Sequence, residues 1–308
     1  MKHQKLCLVK AFLVACVLFS NSCSGASTAG LSSKTVLVGS TPGDSLIKSM
    51  LTISLEKQVD FIRWDLTLGP ADKDPKTFVL NIVFGKGLPN TSGFIGGGET
   101  MSFEGNYVVS KSQKGDIYKL QIDKAADPIS LIQINENIFH LLTLDNKLMI
   151  GNGGWSYTLS RKEPVANPFA LLFSRSTSFQ NETAKEVIFD GRTPCFEIAS
   201  DYNWTLEREC HKLKWKLTVF RDTKTSQPSE YALQRTLERP NTLKGKWTIV
   251  NATKAGSGAM ILKLDPDIPN KTISFLVGDE NVLFFLDKQG RMYAGNGDFS
   301  YTLNRAAK

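Results

Sequence analysis

The residues with the best-defined chemistry in this chain are two cysteines, Cys195 and Cys210, with His211 directly after the second. Thiolates bind soft metals, so a metal or redox site is one interpretation of this group. Such a site needs three or four ligands, and the second half of the chain has no further His and no Cys-x-x-Cys. In an oxidising compartment two cysteines most simply form one disulfide. We therefore predict a Cys195–Cys210 disulfide, with no metal and no other cofactor.

The remaining inventory argues against an enzyme. The sequence contains no Gly-x-Ser-x-Gly, no Walker-type loop and no His-Glu-x-x-His. The glycines at 96–98 lack a following Lys-Ser/Thr, which favours a plain loop over a phosphate cradle. His140 falls in an apolar strand pattern, which is typical of a half-buried structural histidine. Glu136 and Glu280 each follow a turn and begin a strand, so we interpret them as turn residues rather than an acid/base pair.

A repeated segment sets the framework for all these residues. Glu136–Arg161 and Glu280–Arg305 align at a constant offset of 144, and 11 of the 26 positions are identical. The chain therefore consists of two copies of one unit joined head to tail. Cys195 and Cys210 correspond to Gly43 and Val59 of the first copy, so the predicted disulfide belongs to the second copy alone.

Each copy has the pattern of a small antiparallel β-structure. Residues 61–68 and 213–220 alternate apolar with polar side chains, and further short strands follow at short intervals. Residues 45–55 and 196–206 have near-helical spacing and are predicted to cap a barrel end. The expected fold class is all-β, with two tandem antiparallel calycin-like (lipocalin-like) β-barrels, each with a short capping helix. The expected segments are a signal peptide at 1–23, a tether at 24–34, barrel copies at 35–163 and 186–308, and a linker at 164–185.

Aromatic residues recur at matched positions in both copies and are the candidate ligand-binding residues. They line a barrel lumen that either holds a small apolar ligand or is simply filled by these side chains. The candidates are Trp64, Trp215, Tyr107, Trp247, Tyr157 and Tyr301, and Trp155 is likewise matched by Phe299. The matched Arg161 and Arg305 are expected to close the barrel bottom by cation–π or hydrogen-bond contacts.

The first residues predict export. A basic segment precedes an apolar stretch from Ala11 to Phe19, which is too short for a permanent membrane span. Cys23 follows small residues and is the predicted lipid anchor of a lipoprotein, although the tetrad ending there lacks the usual Leu. Simple cleavage near Ala26 or Ala29 is the alternative. The net charge of +7 is spread without a Lys/Arg run, which argues against nucleic-acid binding.

One resemblance is carried by the second copy, residues 191–303. Its Thr-Pro-Cys start, Lys-Trp-Lys-Leu-Thr strand, Gly-Lys-Trp strand and Leu-Asp-x-x-Gly turn resemble the calycin-like barrels of NlpE-type envelope lipoproteins. The Gly-Asn-x-x-Phe-Ser-Tyr-Thr-Leu-Asn-Arg end is similar to that of uncharacterised Bacteroidetes lipoproteins. The resemblance implies a role in the cell envelope, and named NlpE-type members are linked to copper resistance and envelope stress. This chain departs from their Cys-x-x-Cys, having Cys195 alone there.

Together these features predict a non-enzymatic binding or structural module, lipid-anchored at the outer membrane on its periplasmic or surface side, or otherwise secreted. Its expected partners are the membrane surface, through the lipid, and a small apolar ligand or another envelope protein. The alternatives are a carrier that holds an apolar ligand in the barrel lumen and a copper- or thiol-linked sensor of envelope stress.

Overall fold

The computed structural model describes residues 34–307 apart from 71, 113, 124, 126, 167–178, 181, 207–209, 239–240 and 252–258. In the first copy the elements are β1 Thr35–Pro42, α1 Ser45–Met50, β2 Phe61–Leu68, β3 Thr77–Gly85, a 3-10 turn Ile95–Gly97, β4 Glu99–Ser112, β5 Gly115–Ile122, β6 Ile129–Gln133, β7 Ile138–Leu142 and β8 Thr158–Arg161. The predicted signal peptide, Cys23 and residues 24–33 of the predicted tether lie outside the described residues, as does the apolar part of the predicted linker at 169–173.

The second copy repeats this order. Its elements are β9 Glu186–Thr193, α2 Phe196–Tyr202, β10 Leu213–Arg221, β11 Pro228–Arg235, a 3-10 turn Thr236–Glu238, β12 Leu243–Asn251, β13 Met260–Leu264, β14 Ile273–Val277, β15 Val282–Leu286 and β16 Thr302–Arg305. Each set of eight strands pairs antiparallel with its sequence neighbours and closes on itself as a barrel. The predicted fold of two tandem all-β barrels is confirmed.

Alternation of side chains explains why these segments form barrel strands. In β2 and β10 every second residue is buried toward the lumen, while the polar residues between them face outward. The predicted helices are shorter than expected. The first ends at Met50, and the second ends at Tyr202 because Asn203 takes the left-handed conformation with φ of 54°. Among the described residues no helix has the length and apolarity needed to cross a membrane.

The strands of the repeated segment are buried on both faces. Every residue of β7 and β15 is buried, so their inner faces fill the lumen and their outer faces must be covered by something else. That cover is the other barrel. A separate apolar cluster joins Ile132, Ile138 and Leu142 of the first barrel to Leu276, Val282 and Leu286 of the second, each pair at the offset of 144.

Hydrogen bonds between the barrels follow the same correspondence. The Ser156 and Ser300 hydroxyls lie 2.9 Å apart, as do those of Thr158 and Thr302. Gly151 N–H donates to Asn304 Oδ1 at 2.8 Å, and the counterpart Gly295 N–H donates to Ser160 Oγ at 2.8 Å. Contacts that join a residue to its own counterpart are the mark of two-fold symmetry. The interface, which we call the seam, is therefore built like that of a symmetric dimer within one chain.

Candidate functional site

The candidate tryptophans of β2 and β10 are core residues. Trp64 and Trp215 are 1% and 3% exposed. Their indole N–H groups donate to the hydroxyls of Thr41 and Thr193, both at 2.9 Å. A buried indole with a protein acceptor needs no ligand to satisfy it.

The other four aromatic candidates behave alike. Tyr107 and Trp247 donate to the backbone carbonyls of Gly69 and Phe220, at 2.9 and 2.7 Å. Tyr157 and Tyr301 are buried, and their hydroxyls donate to carboxylates at the starts of the two capping helices, those of Asp44 and Glu197. Burial and these hydrogen bonds raise the pKa of both tyrosines. The structure thus brings the six aromatics together as the packing of two barrels, with their polar atoms already paired.

The two cysteines form the disulfide, with Cα atoms 6.1 Å apart. It does not join the two ends of the capping helix, because α2 ends at Tyr202. Cys195 precedes α2, and Cys210 lies just before β10, so the bond fixes the helix start to the next strand. The first barrel brings the corresponding residues together too closely for a bridge. A Cβ on Gly43 would lie 2.8 Å from Val59 Cβ, whereas bridged Cβ atoms are roughly 3.5–4.5 Å apart.

The matched arginines close the barrel ends by hydrogen bonds rather than by cation–π contacts. Arg161 Nε donates to Glu136 O at 3.3 Å, and Arg305 donates to Glu280 O at 3.4 Å and to the Glu182 carboxylate at 2.6 Å. Cation–π contacts in the second barrel come instead from other cations, among them Arg221 and Arg235.

His140 lies fully buried in the seam. Its Nδ1 is 2.9 Å from Thr158 Oγ1, its Nε2 is 2.9 Å from Met149 O, and its ring meets the edge of Phe284, its own counterpart. Because a carbonyl only accepts, Nε2 carries the proton and Nδ1 accepts from the threonine. Burial lowers the pKa of His140 to about 4. These contacts make it a structural residue, more deeply buried than the half-buried position predicted.

The best candidate site is a cleft of about 220 Å³ where the barrels meet, which we call the seam cleft. Asp60, Phe61, Trp155 and the loop 87–91 of the first barrel line one side, and Arg192, Lys212 and Lys214 of the second barrel line the other. The wall is an aromatic stack. Phe61 lies between Phe94 and Trp155, with ring centroids 4.1 and 4.6 Å away.

Three cationic side chains line this cleft. Arg192 of β9 lies directly opposite Lys214 of β10 in the strand register, and Lys212 is two residues before Lys214. Like charges in directly opposed positions are destabilising. Burial lowers the pKa of Lys212, and the charges of Arg192 and Lys214 lower it further, while Asp298 raises it. The cleft is therefore an electropositive site.

The pseudo-symmetric side of the seam is neutralised. In the barrel register Ser40 and Arg63 stand where Arg192 and Lys214 stand in the second copy. Arg63 forms an ion pair with Asp298 at 2.5 Å and donates to Ser92 O, while Ser40 donates to Gly297 O at 2.7 Å. The counterpart of Asp298, at the offset of 144, is Gly154. The open cleft lacks the carboxylate that closes its twin.

The sequence predictions missed Arg192, Lys212 and Lys214. The available signal was the mismatch of Gly154 and Asp298 inside an otherwise well-matched segment, next to the matched Trp155 and Phe299. Over the described part of the chain, no group of three or more His, Cys, Asp or Glu side chains is placed to hold a metal ion.

Comparisons with known proteins add no assignment, since no family model, no curated protein and no solved structure matches this chain.

Proposed function

We propose that this chain is an exported, lipid-anchored protein of the bacterial cell envelope that acts as a non-enzymatic binding module, with its ligand surface in the seam cleft. The observation that carries the proposal is the cleft itself, in which Arg192, Lys212 and Lys214 face an aromatic wall across the joint of two barrels. A concave site of this kind, with a few convergent polar groups, is what small-ligand sites share.

The barrel lumens support this placement by contrast. The six aromatic side chains that would line a lumen site are buried and donate to acceptors within the protein. An apolar ligand would have to displace this packing. We therefore favour the cleft over carriage of an apolar ligand in a lumen.

The disulfide supports the envelope location and argues against the copper or thiol sensor. Disulfides form and persist in oxidising compartments, which agrees with the signal-like first residues. A sulfur atom in a disulfide is not a thiolate, so neither Cys195 nor Cys210 is available as a metal ligand in this state.

Labelling of cells with radioactive palmitate tests the anchor. The proposal expects label in the wild type, no label in Cys23→Ala, and release of that variant from the membrane fraction. Cys16→Ala is the matched control and keeps the label, because Cys16 lies in the segment that is removed. Label that disappears with Cys16 instead would contradict the assignment.

Titration with a fluorescent fatty acid tests the choice between cleft and lumen. The proposal expects no saturable signal, since the aromatic cores are filled. Saturable binding that weakens in Trp64→Phe or Trp215→Phe, but not in Arg192→Gln, would favour the lumen carrier instead.

A further inference from the structure

We propose that the seam cleft binds a phosphomonoester group, either on a free small molecule or at the exposed end of a larger envelope molecule, with Arg192 as the bidentate donor and Lys212 and Lys214 as flanking charges. This inference rests on the proposed function only for the position of the ligand surface, not for export or anchoring.

The guanidinium of Arg192 is positioned to donate two hydrogen bonds in its plane to a bound anion. Its guanidinium carbon lies 5.5 Å from the centroid of the Trp155 ring, over its face, and Trp155 is itself stacked on Phe61. Arg192 is half-buried, and its guanidinium forms no hydrogen bond or ion pair with any residue that the structure describes. A guanidinium that rests on an aromatic face keeps its N–H edge available for the paired oxygens of phosphate.

The charge of the cleft matches a dianion better than a single carboxylate. The three cations share the lining with one carboxylate, Asp60, which accepts from Gly87 N–H at 2.8 Å. The lining therefore carries an excess of two positive charges. A phosphomonoester carries roughly −1.5 to −2 charge at pH 7, whereas a carboxylate carries only one.

The closed side of the seam shows how this fold neutralises a cation there. There Arg63 receives the Asp298 carboxylate at 2.5 Å. The open cleft has Gly154 at the corresponding position, and a Cβ built there would lie 3.7 Å from the Arg192 guanidinium nitrogen. A ligand anion in the open cleft would supply the negative charge that Asp298 supplies across the seam.

The size of the cleft limits the ligand. A volume of about 220 Å³ is below the range of roughly 300–1,000 Å³ that is usual for whole drug-sized ligands. It suits a phosphate group with a few attached atoms. The Trp155 edge beside Arg192 then offers an apolar contact to the adjoining carbon atoms, such as those of a sugar ring.

Isothermal titration of the exported protein with inorganic phosphate, glucose 6-phosphate and glucose tests the site. We expect saturable millimolar or tighter binding of inorganic phosphate and of glucose 6-phosphate, and none of glucose. Arg192→Gln should weaken phosphate binding by about tenfold or more, because a bidentate charged contact is lost. Lys216→Gln, on the same strand but outside the cleft lining, is the matched control and should change the affinity by less than about twofold, as expected of a more distant, solvent-screened charge.

Gly154→Asp is the sharper variant, since it copies Asp298 into the open side. The new carboxylate should compete with phosphate for Arg192 and reduce the affinity by about tenfold or more, while the circular dichroism spectrum stays that of the wild type. Absence of saturable phosphate binding in the wild type would overturn the proposal. So would equal phosphate affinity in the wild type, Arg192→Gln and Gly154→Asp.

Vesicle flotation with the Cys23→Ser protein, which cannot be acylated, identifies the source of the group. Binding to vesicles that contain phosphatidic acid, and not to those with phosphatidylglycerol of equal total charge, supports a phosphomonoester on a membrane molecule. Binding of glucose 6-phosphate without vesicle binding supports a free small molecule. If the protein binds neither glucose 6-phosphate nor the vesicles with phosphatidic acid, the inference is overturned. An absence of palmitate labelling in the wild type would overturn only the proposed lipid anchor.

Discussion

The two barrels share one scaffold but differ at three local sites. The second barrel carries a disulfide between Cys195 and Cys210, where the first has Gly43 packed against Val59. The seam pairs His140 of the first barrel with Phe284 of the second. At the turn before the matched strands, the first barrel has a buried Asn135 and the second has Asp279. The differences lie at caps, turns and the seam, while the lumen aromatics and their hydrogen bonds are kept. Packing therefore defines the unit, and ionisable or crosslinking groups distinguish its copies.

Removal of the disulfide should produce the largest difference in stability between the two barrels. Cys195→Ala with Cys210→Ala should lower the free energy of unfolding by about 3 kcal/mol, because the bond closes a loop of fifteen residues. Denaturant unfolding measures the loss. Hydrogen exchange should place it in α2 and β10, with protection of α1 and β2 unchanged. An equal loss of protection in both barrels would show that the disulfide stabilises both barrels instead of the second alone.

Replacement of His140 by phenylalanine, the residue type of its counterpart Phe284, should change the stability of the protein at acid pH. The folded pKa of His140 is about 4, below the ordinary value of 6.5. Between these pH values the unfolded chain binds the proton and the folded chain does not, so stability falls as the pH drops through this window. His140→Phe should remove this dependence, on the order of 3 kcal/mol between pH 7 and 4.

The measurement is urea unfolding of the wild type and His140→Phe across that pH range. His211→Phe is the control for the loss of a histidine outside the seam, because His211 is exposed. Parallel pH profiles for the wild type and His140→Phe would contradict a buried neutral histidine.

The Asn135 and Asp279 turns should show a smaller effect with the opposite sign. Burial raises the pKa of Asp279 to about 6, and its carboxylate accepts from the N–H groups of Asn281 and Val282. Since the folded pKa exceeds the unfolded value of 3.8, stability is lost as the pH rises from about 4 to 6. Asp279→Asn keeps the acceptor oxygen and should raise stability at pH 7 by about 1 kcal/mol.

Asn135→Asp is the mirror variant and should destabilise the first barrel at pH 7 by a similar amount. Thermal unfolding at pH 4 and pH 7 checks both variants, and each difference should shrink at pH 4. An unchanged melting temperature for Asp279→Asn at pH 7 would mean that the carboxylate is not desolvated.

Sequence patterns were sufficient for the barrels because lumen packing is local and periodic. Alternation in 61–68 and 213–220 marked two strands whose observed bounds differ by one residue at most. The seam was missed although a signal existed: β6 and β7 carry apolar residues on both faces and do not alternate strictly between apolar and polar side chains. Comparing the copies at one offset shows the mismatch of Gly154 and Asp298 but does not bring the residues of the cleft together. The cleft joins Trp155 of the first barrel to Arg192 of the second, and these residues are not counterparts.

The pairing of residues with their own counterparts across the seam has a consequence for how this surface can change. In a homodimer of separate chains, each substitution at such an interface appears twice, so an aspartate that closes one side also closes the other. Tandem fusion removes that constraint. Here Asp298 neutralises Arg63, whereas its counterpart Gly154 supplies no carboxylate beside Arg192. Covalent linkage of the two halves thus permits a two-fold framework to carry a single, one-sided site.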